Sequence, residues 1–189
     1  MLTALETAVK CAQITAPFLA FLALVFTIRA GIQNKRADIM MECHRRFDQL
    51  SVLRHELTKR VNKTSDLTKD QELIDDINSW VQRFWSLQVD EYEFWRRGFI
   101  DNDFFRYWMI SRHRDFSDAR EDEIKNPARH TFKMLAFTQG FRVVVDTWAD
   151  ASHPRSDFKD FMEQVRKNRI DDAMSKYGPW FLRKWGLWG

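Results

Sequence analysis

The sequence predicts an all-α fold in which one N-terminal transmembrane helix continues into an antiparallel cytosolic helical bundle. The 189 residues include only six Gly and four Pro, too few for the frequent turns of an all-β sandwich. An uncharged apolar run near the N-terminus is long enough to cross a bilayer, and helical periodicity follows it. The glycine-rich motifs of Rossmann folds and P-loops do not occur in the sequence, which argues against an α/β nucleotide-binding fold.

The first element is the apolar segment from Cys11 to Ile28. Its eighteen residues carry no charge and lie between Lys10 and Arg29. As a helix it is about 27 Å long, close to the roughly 30 Å hydrocarbon core of a bilayer. The alternatives are a buried core helix and a cleaved signal peptide. Five turns without a charged face are unusual in a globular protein, and no small-residue cleavage pair follows Phe26, so we expect a retained membrane anchor.

Basic residues are concentrated on the C-terminal side of this segment. The N-terminal side offers one basic side chain and the terminal amine. Within twenty residues on the C-terminal side lie Arg29, Lys35, Arg36, Arg45 and Arg46. The positive-inside rule therefore predicts an N-terminus outside and a cytosolic C-terminal body, which in a bacterium means the inner membrane.

Small residues recur every three or four positions along nearly one face of the anchor. Such a stripe lets helix backbones approach closely, which drives association in lipid, and it predicts a homo-oligomer whose spans surround a central opening. The alternative is that alanine is simply common in membrane helices. Pro17 removes one hydrogen bond and predicts a kink. The stripe consists of Ala4, Ala8, Ala12, Ala16, Ala20, Ala23, Thr27 and Gly31.

We divide the chain into an N-terminal segment of residues 1–31, a helical cytosolic domain of residues 32–178 and a tail of residues 179–189. The helical period continues past the membrane segment, so the anchor is expected to run directly into the domain. Cys11 and Cys43 then lie about 48 Å apart on one helix, too far for a disulfide, and both are predicted to be reduced.

Periodicity and capping signals predict four further helices. Gly98 is a C-terminal cap for the first of them, and Asp101 is an N-terminal cap for the second. Residues 141–145 include three consecutive β-branched valines, so a short strand is an alternative for this segment. The four helices span about Lys69–Arg97, Asn102–Arg120, Pro127–Ala151 and Ser156 or Asp157 to Gly178.

The formal net charge of +3 is too small to indicate nucleic acid as a partner. Its distribution is more informative. Residues 29–63 hold nine Lys or Arg and four Asp or Glu, whereas residues 66–93 hold two and eight. The first two helices of the domain are therefore expected to attract each other across their solvated edges. The alternative is that the same asymmetry serves contacts between copies of the chain.

The last eleven residues combine three Trp, one Phe and two Leu with two basic side chains. Indole rings and cations prefer the membrane interface, where both find partners. The alternative is a tail folded onto the bundle with its tryptophans buried. The predicted interface residues are Trp180, Arg183, Lys184, Trp185 and Trp188.

Candidate chemistry is sparse. Arg106 and His113 are separated by six residues, a spacing found in ribonucleases of the HEPN class, and they are the only catalytic candidates. Arg112 and Arg114 flank the histidine and are candidate contacts for phosphate or a protein partner, with a solvated helix face as the alternative. The histidines lack metal-ligand spacing, and we expect no metal and no cofactor. Glu93 and Arg97 are predicted to form a surface ion pair.

One N-terminal span followed by a small all-helical body resembles, in layout, the small bacterial single-pass proteins that act as accessory membrane effectors of CRISPR and other antiphage systems. The resemblance implies a degenerate HEPN-like body and ring-like oligomers whose spans line a pore. The predicted function is a self-assembling, homo-oligomeric membrane effector or pore-forming accessory protein of a defence or stress system, with the lipid bilayer as partner. The alternatives are a membrane-tethered ribonuclease acting on RNA and a passive tether that docks a cytosolic protein.

Overall fold

The computed structural model describes residues 2–64, 69–117, 131–142 and 156–179, with side chains from Thr15 onward. All regular structure in these ranges is helical, which confirms the predicted all-α class. The ends of two predicted helices at Arg120, Pro127 and Ala151 lie outside the described residues, as does the tail from Trp180 to Gly189.

The contacts of the chain separate it into two units, Met1–Ile39 and Met40–Gly189. The first unit consists of the N-terminal part of helix α1, which spans Leu2–Lys63. Pro17 lies inside this helix, which continues on both sides of it. The Thr27 hydroxyl donates a 2.8 Å hydrogen bond to the carbonyl oxygen of Ala23, so this polar side chain is satisfied within its own helix.

The second unit contains the remainder of α1 and five further helical segments in the part of the chain that the structure describes. They are α2 (Gln71–Arg96), α3 (Asn102–Ser117), α4 (residues 131–142), α5 (Ser156–Arg166) and α6 (Ile170–Tyr177). Phe141 and Arg142 are helical, and the rest of the possible strand at 143–145 lies outside the described residues.

The predicted caps of α2 and α3 are confirmed. Gly98 adopts φ 75°, and its N–H donates to the carbonyl of Trp95 while the N–H of Phe99 donates to Phe94. These two bonds form a Schellman motif, in which a left-handed residue turns the chain out of the helix. At the start of α3, the Asp101 carboxylate accepts a 2.8 Å bond from the N–H of Asp103.

The single helix predicted from Ser156 or Asp157 to Gly178 is instead two helices. Asn168 adopts φ 58°, and the N–H groups of Asn168 and Arg169 donate to Val165 and Gln164 in the same Schellman pattern. Asparagine tolerates the left-handed region better than most residues with a Cβ atom, so it ends α5 as Gly98 ends α2.

The core of the second unit is built on the aromatic stripe of α2. Trp80 stacks on Phe84 with ring centroids 4.9 Å apart, and Trp95 stacks on Phe105 of α3 at 4.3 Å. Helix α1 adds a buried face with spacings of seven and four residues, as its periodicity predicts. That face consists of Cys43, Leu50, Leu57 and Val61.

Helix α4 contains a π-helical segment, Met134–Gln139. The Trp85 indole N–H donates a 3.1 Å hydrogen bond to the carbonyl of Ala136, which ties this segment to α2. A Cβ atom on Gly140 would lie 2.5 Å from Cγ1 of Val81 and 2.7 Å from the carbonyl oxygen of Leu135. Only glycine therefore permits this close approach of α4 to α2.

Two ion pairs join α1 to α2. Nη1 of Arg46 lies 2.8 Å from Oδ2 of Asp90, and Nη1 of Arg60 lies 2.5 Å from Oδ2 of Asp76. They confirm the expectation that the basic and acidic stretches face each other.

Candidate functional site

From Thr15 onward, most of the apolar surface of α1 in the first unit is exposed. The structure contains a helix long and apolar enough to cross a membrane, and none of its most apolar stretch is buried against protein. The largest side chains there are more than half exposed, including Phe18, Phe21 and Phe26. A core helix of a soluble protein is mostly buried, so this exposure argues against that alternative, whereas a membrane anchor and a signal peptide both share it.

The small-residue stripe on this helix lies partly within the described side chains. Ala16, Ala20, Ala23, Thr27 and Gly31 are all exposed. A Cβ atom on Gly31 would meet nothing within 4 Å, so its surface is open to another molecule. The side chains of Ala4, Ala8 and Ala12 lie outside the description, as do the interface candidates Trp180, Arg183, Lys184, Trp185 and Trp188.

Arg106 and His113, the residues of the ribonuclease hypothesis, each connect α3 to a neighbouring helix. Nε and Nη2 of Arg106 donate to the two carboxylate oxygens of Asp171 at 2.7 and 3.1 Å. Nδ1 of His113 lies 3.0 Å from the carbonyl oxygen of Val165, within hydrogen-bond distance. These contacts have the character of helix-packing interactions, since a carboxylate holds the guanidinium and a backbone carbonyl holds the imidazole.

Arg112 and Arg114, the predicted phosphate or partner contacts, lie in different environments. Arg114 is exposed, whereas Arg112 is only 4% exposed. The Arg112 guanidinium lies 4.9 Å from the ring centroid of Phe84 and 5.1 Å from that of Phe47, within range of cation–π attraction. The guanidinium of Arg112 therefore bonds within the domain. Of these two residues, Arg114 is the one whose exposure permits contact with an external phosphate.

Arg112 is the centre of a buried polar network between α1, α2 and α3. Its Nε donates to Oε1 of Gln88 and its Nη1 to Oδ2 of Asp115, both at 2.8 Å. Asp115 also forms a 3.7 Å ion pair with Arg54 of α1. We call Cys43, Gln88, Glu91, Arg112 and Asp115 the Arg112 network.

Glu91 is the unusual member of the Arg112 network because it is a carboxyl group that is only 2% exposed. Burial raises the pKa of its carboxyl to about 7, against the opposing effect of the positive charges of Arg112 and Arg46. Burial thus favours the neutral form of this carboxyl up to a higher pH than usual.

The thiol of Cys43 faces the same network and is unsuited to chemistry. Burial raises its pKa to about 12, and the negative charge of Glu91 adds to this effect. Because the thiolate is the form that attacks electrophiles and binds metals, Cys43 behaves at pH 7 as a small apolar side chain.

Among the residues that the structure describes, two buried atoms of the Arg112 network have no hydrogen-bond partner, Nε2 of Gln88 and Oε2 of Glu91. Such atoms are rare in folded proteins, and each costs about 1–3 kcal/mol. Protonation of Glu91 removes a poorly compensated charge at this point. The network therefore contains one group whose charge, and whose contribution to stability, changes with pH.

Sequence reasoning missed Glu91, because in this region it predicted only the surface ion pair of Glu93 and Arg97. The Glu93–Arg97 ion pair predicted there is present at 3.8 Å. The available signal was helical spacing, since Gln88 lies on the inward stripe of α2 and Glu91 follows three positions later on the same face. Among the residues that the structure describes, no group of three His, Cys, Asp or Glu side chains forms a metal site.

Comparisons with models of protein families, with curated proteins and with solved structures gave no match. Function is therefore inferred from the chemistry and geometry of this chain alone. The resemblance in layout to accessory membrane effectors stays a prediction, as does the HEPN-like character of the body.

Proposed function

We propose that this chain is a single-pass membrane protein that acts as a homo-oligomeric effector through association of its membrane spans. The observation that carries the proposal is the exposed apolar surface of α1, where Phe18, Leu24 and Phe26 are 64%, 56% and 67% exposed. Apolar surface in water costs about 25 cal/mol per Å², so a continuous exposed band of this kind requires a cover. A bilayer supplies one along the whole segment of residues 11–28.

In this proposal the positive-inside rule sets the orientation. The N-terminus lies outside, and the body of residues 32–178 lies in the cytosol as an antiparallel bundle, at the inner membrane of a bacterium. The tail of residues 179–189 binds the membrane interface.

Association of the spans is supported by the character of the exposed face. Ala16, Ala20 and Gly31 present little beyond backbone, which permits close van der Waals packing between helices in lipid. The Thr27 hydroxyl is already bonded to Ala23, so it brings no unsatisfied polar group to the contact. Spans packed through this face in a ring would surround a central opening, which is the basis of the pore-forming role.

The ribonuclease hypothesis receives less support, because Arg106 and His113 are held by Asp171 and by the Val165 carbonyl. It predicts RNA cleavage that is lost in the His113→Ala variant. The passive-tether hypothesis predicts a detergent-solubilised monomer with a protein partner.

Native mass spectrometry of the full chain in a non-ionic detergent tests the proposal. The wild type is expected at a multiple of 22.7 kDa. The double variant Ala16→Leu with Ala20→Leu is expected at a lower multiple, because leucine separates the backbones. The matched control is Phe18→Leu with Val25→Leu, which changes side chains away from the stripe and should leave the mass unchanged. A monomeric wild type, or a stripe variant with the wild-type mass, contradicts the proposal.

A further inference from the structure

A groove of about 370 Å³ lies between α1 and α2 in the second unit. Its volume falls in the range of about 300–1,000 Å³ that is usual for small-molecule sites. The Arg46–Asp90 ion pair connects the two helices one turn beyond Ser86. The residues that line the groove are Arg46, Gln49, Leu50 and Leu53 from α1 and Gln82, Arg83 and Ser86 from α2.

The lining is rich in hydrogen-bond donors and carries positive charge. It contains two guanidinium groups, two primary amides and one hydroxyl, and no carboxylate is among the lining residues. Within the part of the chain that the structure describes, the side chains of Arg83, Gln49, Gln82 and Ser86 make no hydrogen bond or ion pair. The groove thus combines uncommitted donors with an apolar wall formed by Leu50 and Leu53.

The charges of the two arginines are unequally compensated. Arg46 is partly neutralised by Asp90 at 2.8 Å, and because it uses one N–H for that bond it keeps others for a ligand. Arg83, on the opposite wall, is exposed to solvent, and no carboxylate among the described residues neutralises its charge. A ligand that brings negative charge into the groove would compensate this charge of Arg83.

We propose that this groove is a binding site for a phosphate-bearing ligand. A phosphate has acceptor oxygens on several sides, so it can accept from guanidinium groups on both walls at once, which a carboxylate with two oxygens does less well. The amides of Gln49 and Gln82 are additional donors, and the leucine wall suits an apolar portion of the same molecule. This site is independent of the membrane spans and goes beyond the function proposed above.

The phosphate can come from a soluble metabolite or from a phospholipid headgroup, and the chemistry is the same in both cases. Isothermal titration calorimetry on the full chain in non-ionic detergent distinguishes them with three probes: inorganic phosphate, AMP and dihexanoyl phosphatidic acid. Binding of phosphate or AMP identifies a soluble ligand. Binding of phosphatidic acid alone identifies a lipid headgroup.

Two groove variants and one control make the test specific. Arg83→Gln removes the uncommitted guanidinium, and Ser86→Glu places a carboxylate in the groove. Each is expected to weaken binding by about tenfold or more, the effect of losing one charge-assisted hydrogen bond. Arg97→Gln removes the same charge from the exposed C-terminal end of α2 and should leave the affinity within about twofold of wild type.

Each outcome of these titrations either supports or overturns the proposed phosphate site. Binding of any probe that is lost in both groove variants and kept in Arg97→Gln supports the site. Failure of all three probes to bind overturns it. Equal loss in Arg97→Gln, which would indicate general electrostatic attraction, or wild-type affinity in Arg83→Gln and Ser86→Glu, also overturns it.

Discussion

The side chains of Arg112 and Gln88 form a 2.8 Å hydrogen bond between α3 and α2, and both residues are at most 4% exposed. A guanidinium in such a position is stabilised only by its partners, because water cannot reach it. Loss of Arg112 would leave the side-chain carbonyl oxygen of Gln88 without its donor and Asp115 with only its 3.7 Å ion pair to Arg54.

The Arg112→Leu variant is therefore expected to destabilise the protein by about 3–5 kcal/mol, the usual cost of breaking a buried ion pair on one side. Denaturant unfolding of the full chain in detergent, followed by tryptophan fluorescence, measures the change. Arg114→Leu, two positions away and exposed, is the control and should change the free energy of unfolding by no more than about 0.5 kcal/mol. Similar losses in the two variants would contradict a central role for the Arg112 network.

The pKa of about 7 at Glu91 predicts a specific pH dependence of stability, since the ordinary value is 4.5. Between these values the folded protein binds more protons than the unfolded chain, so stability falls as the pH rises through this window. The total loss is at most about 3 kcal/mol. It is complete only well above pH 7 and absent well below pH 4.5.

Unfolding midpoints of wild type and Glu91→Gln, measured from pH 4.5 to pH 8, check this dependence. The variant carries no ionisable group at position 91, so its curve should be flatter, and the gain relative to wild type should be largest at pH 8. Glu93→Gln changes a partly exposed ion pair and should retain the wild-type slope. A slope in Glu91→Gln equal to that of the wild type would show that another group is responsible.

Gly140 is predicted to tolerate no side chain. Its φ of −61° is an ordinary helical value, so the constraint comes from space and not from backbone conformation. Alanine would place its Cβ 2.5 Å from Val81, and we expect Gly140→Ala to destabilise by about 1–3 kcal/mol, as overpacking does. Gly31→Ala has open space and should not destabilise the body. The thermal unfolding midpoints of the two variants test this prediction. Equal midpoints would argue against close packing of α4 on α2.

Asn168 separates α5 from α6 through its left-handed conformation. Asn168→Gly should be neutral or slightly stabilising, because glycine adopts φ 58° without steric cost. Asn168→Ala should cost about 1 kcal/mol. Chemical denaturation of the pair provides the comparison, and an alanine variant at least as stable as the glycine variant would indicate that the chain does not need this turn.

Helical periodicity predicted the helices of the second unit well, because the buried face of each helix follows from the spacing of its apolar residues along the sequence. The face of Cys43, Leu50 and Leu57 could be identified without a structure, and so could the attraction between α1 and α2 that Arg46–Asp90 realises. The turn at Asn168 was missed, since asparagine signals a helix end less strongly than glycine does.

The Arg112 network was beyond sequence reasoning for a different reason. Its members come from three helices, and the burial of Glu91 depends on which faces of α1 and α3 cover it. The same holds for Arg112, whose guanidinium points inward although the next two residues, His113 and Arg114, are also polar. Tertiary packing determines whether such a side chain faces the core or the solvent, and the local sequence pattern does not predict it.

The central claim is that residues 11–28 of this chain span a bilayer. Alkaline carbonate extraction of membranes from cells that express the full chain tests it most directly, because this treatment releases proteins held at the surface and leaves transmembrane helices in place. We predict that the protein stays in the membrane pellet and becomes soluble only with detergent. Recovery in the carbonate supernatant, or as a dispersed monomer in buffer without detergent, would contradict the account.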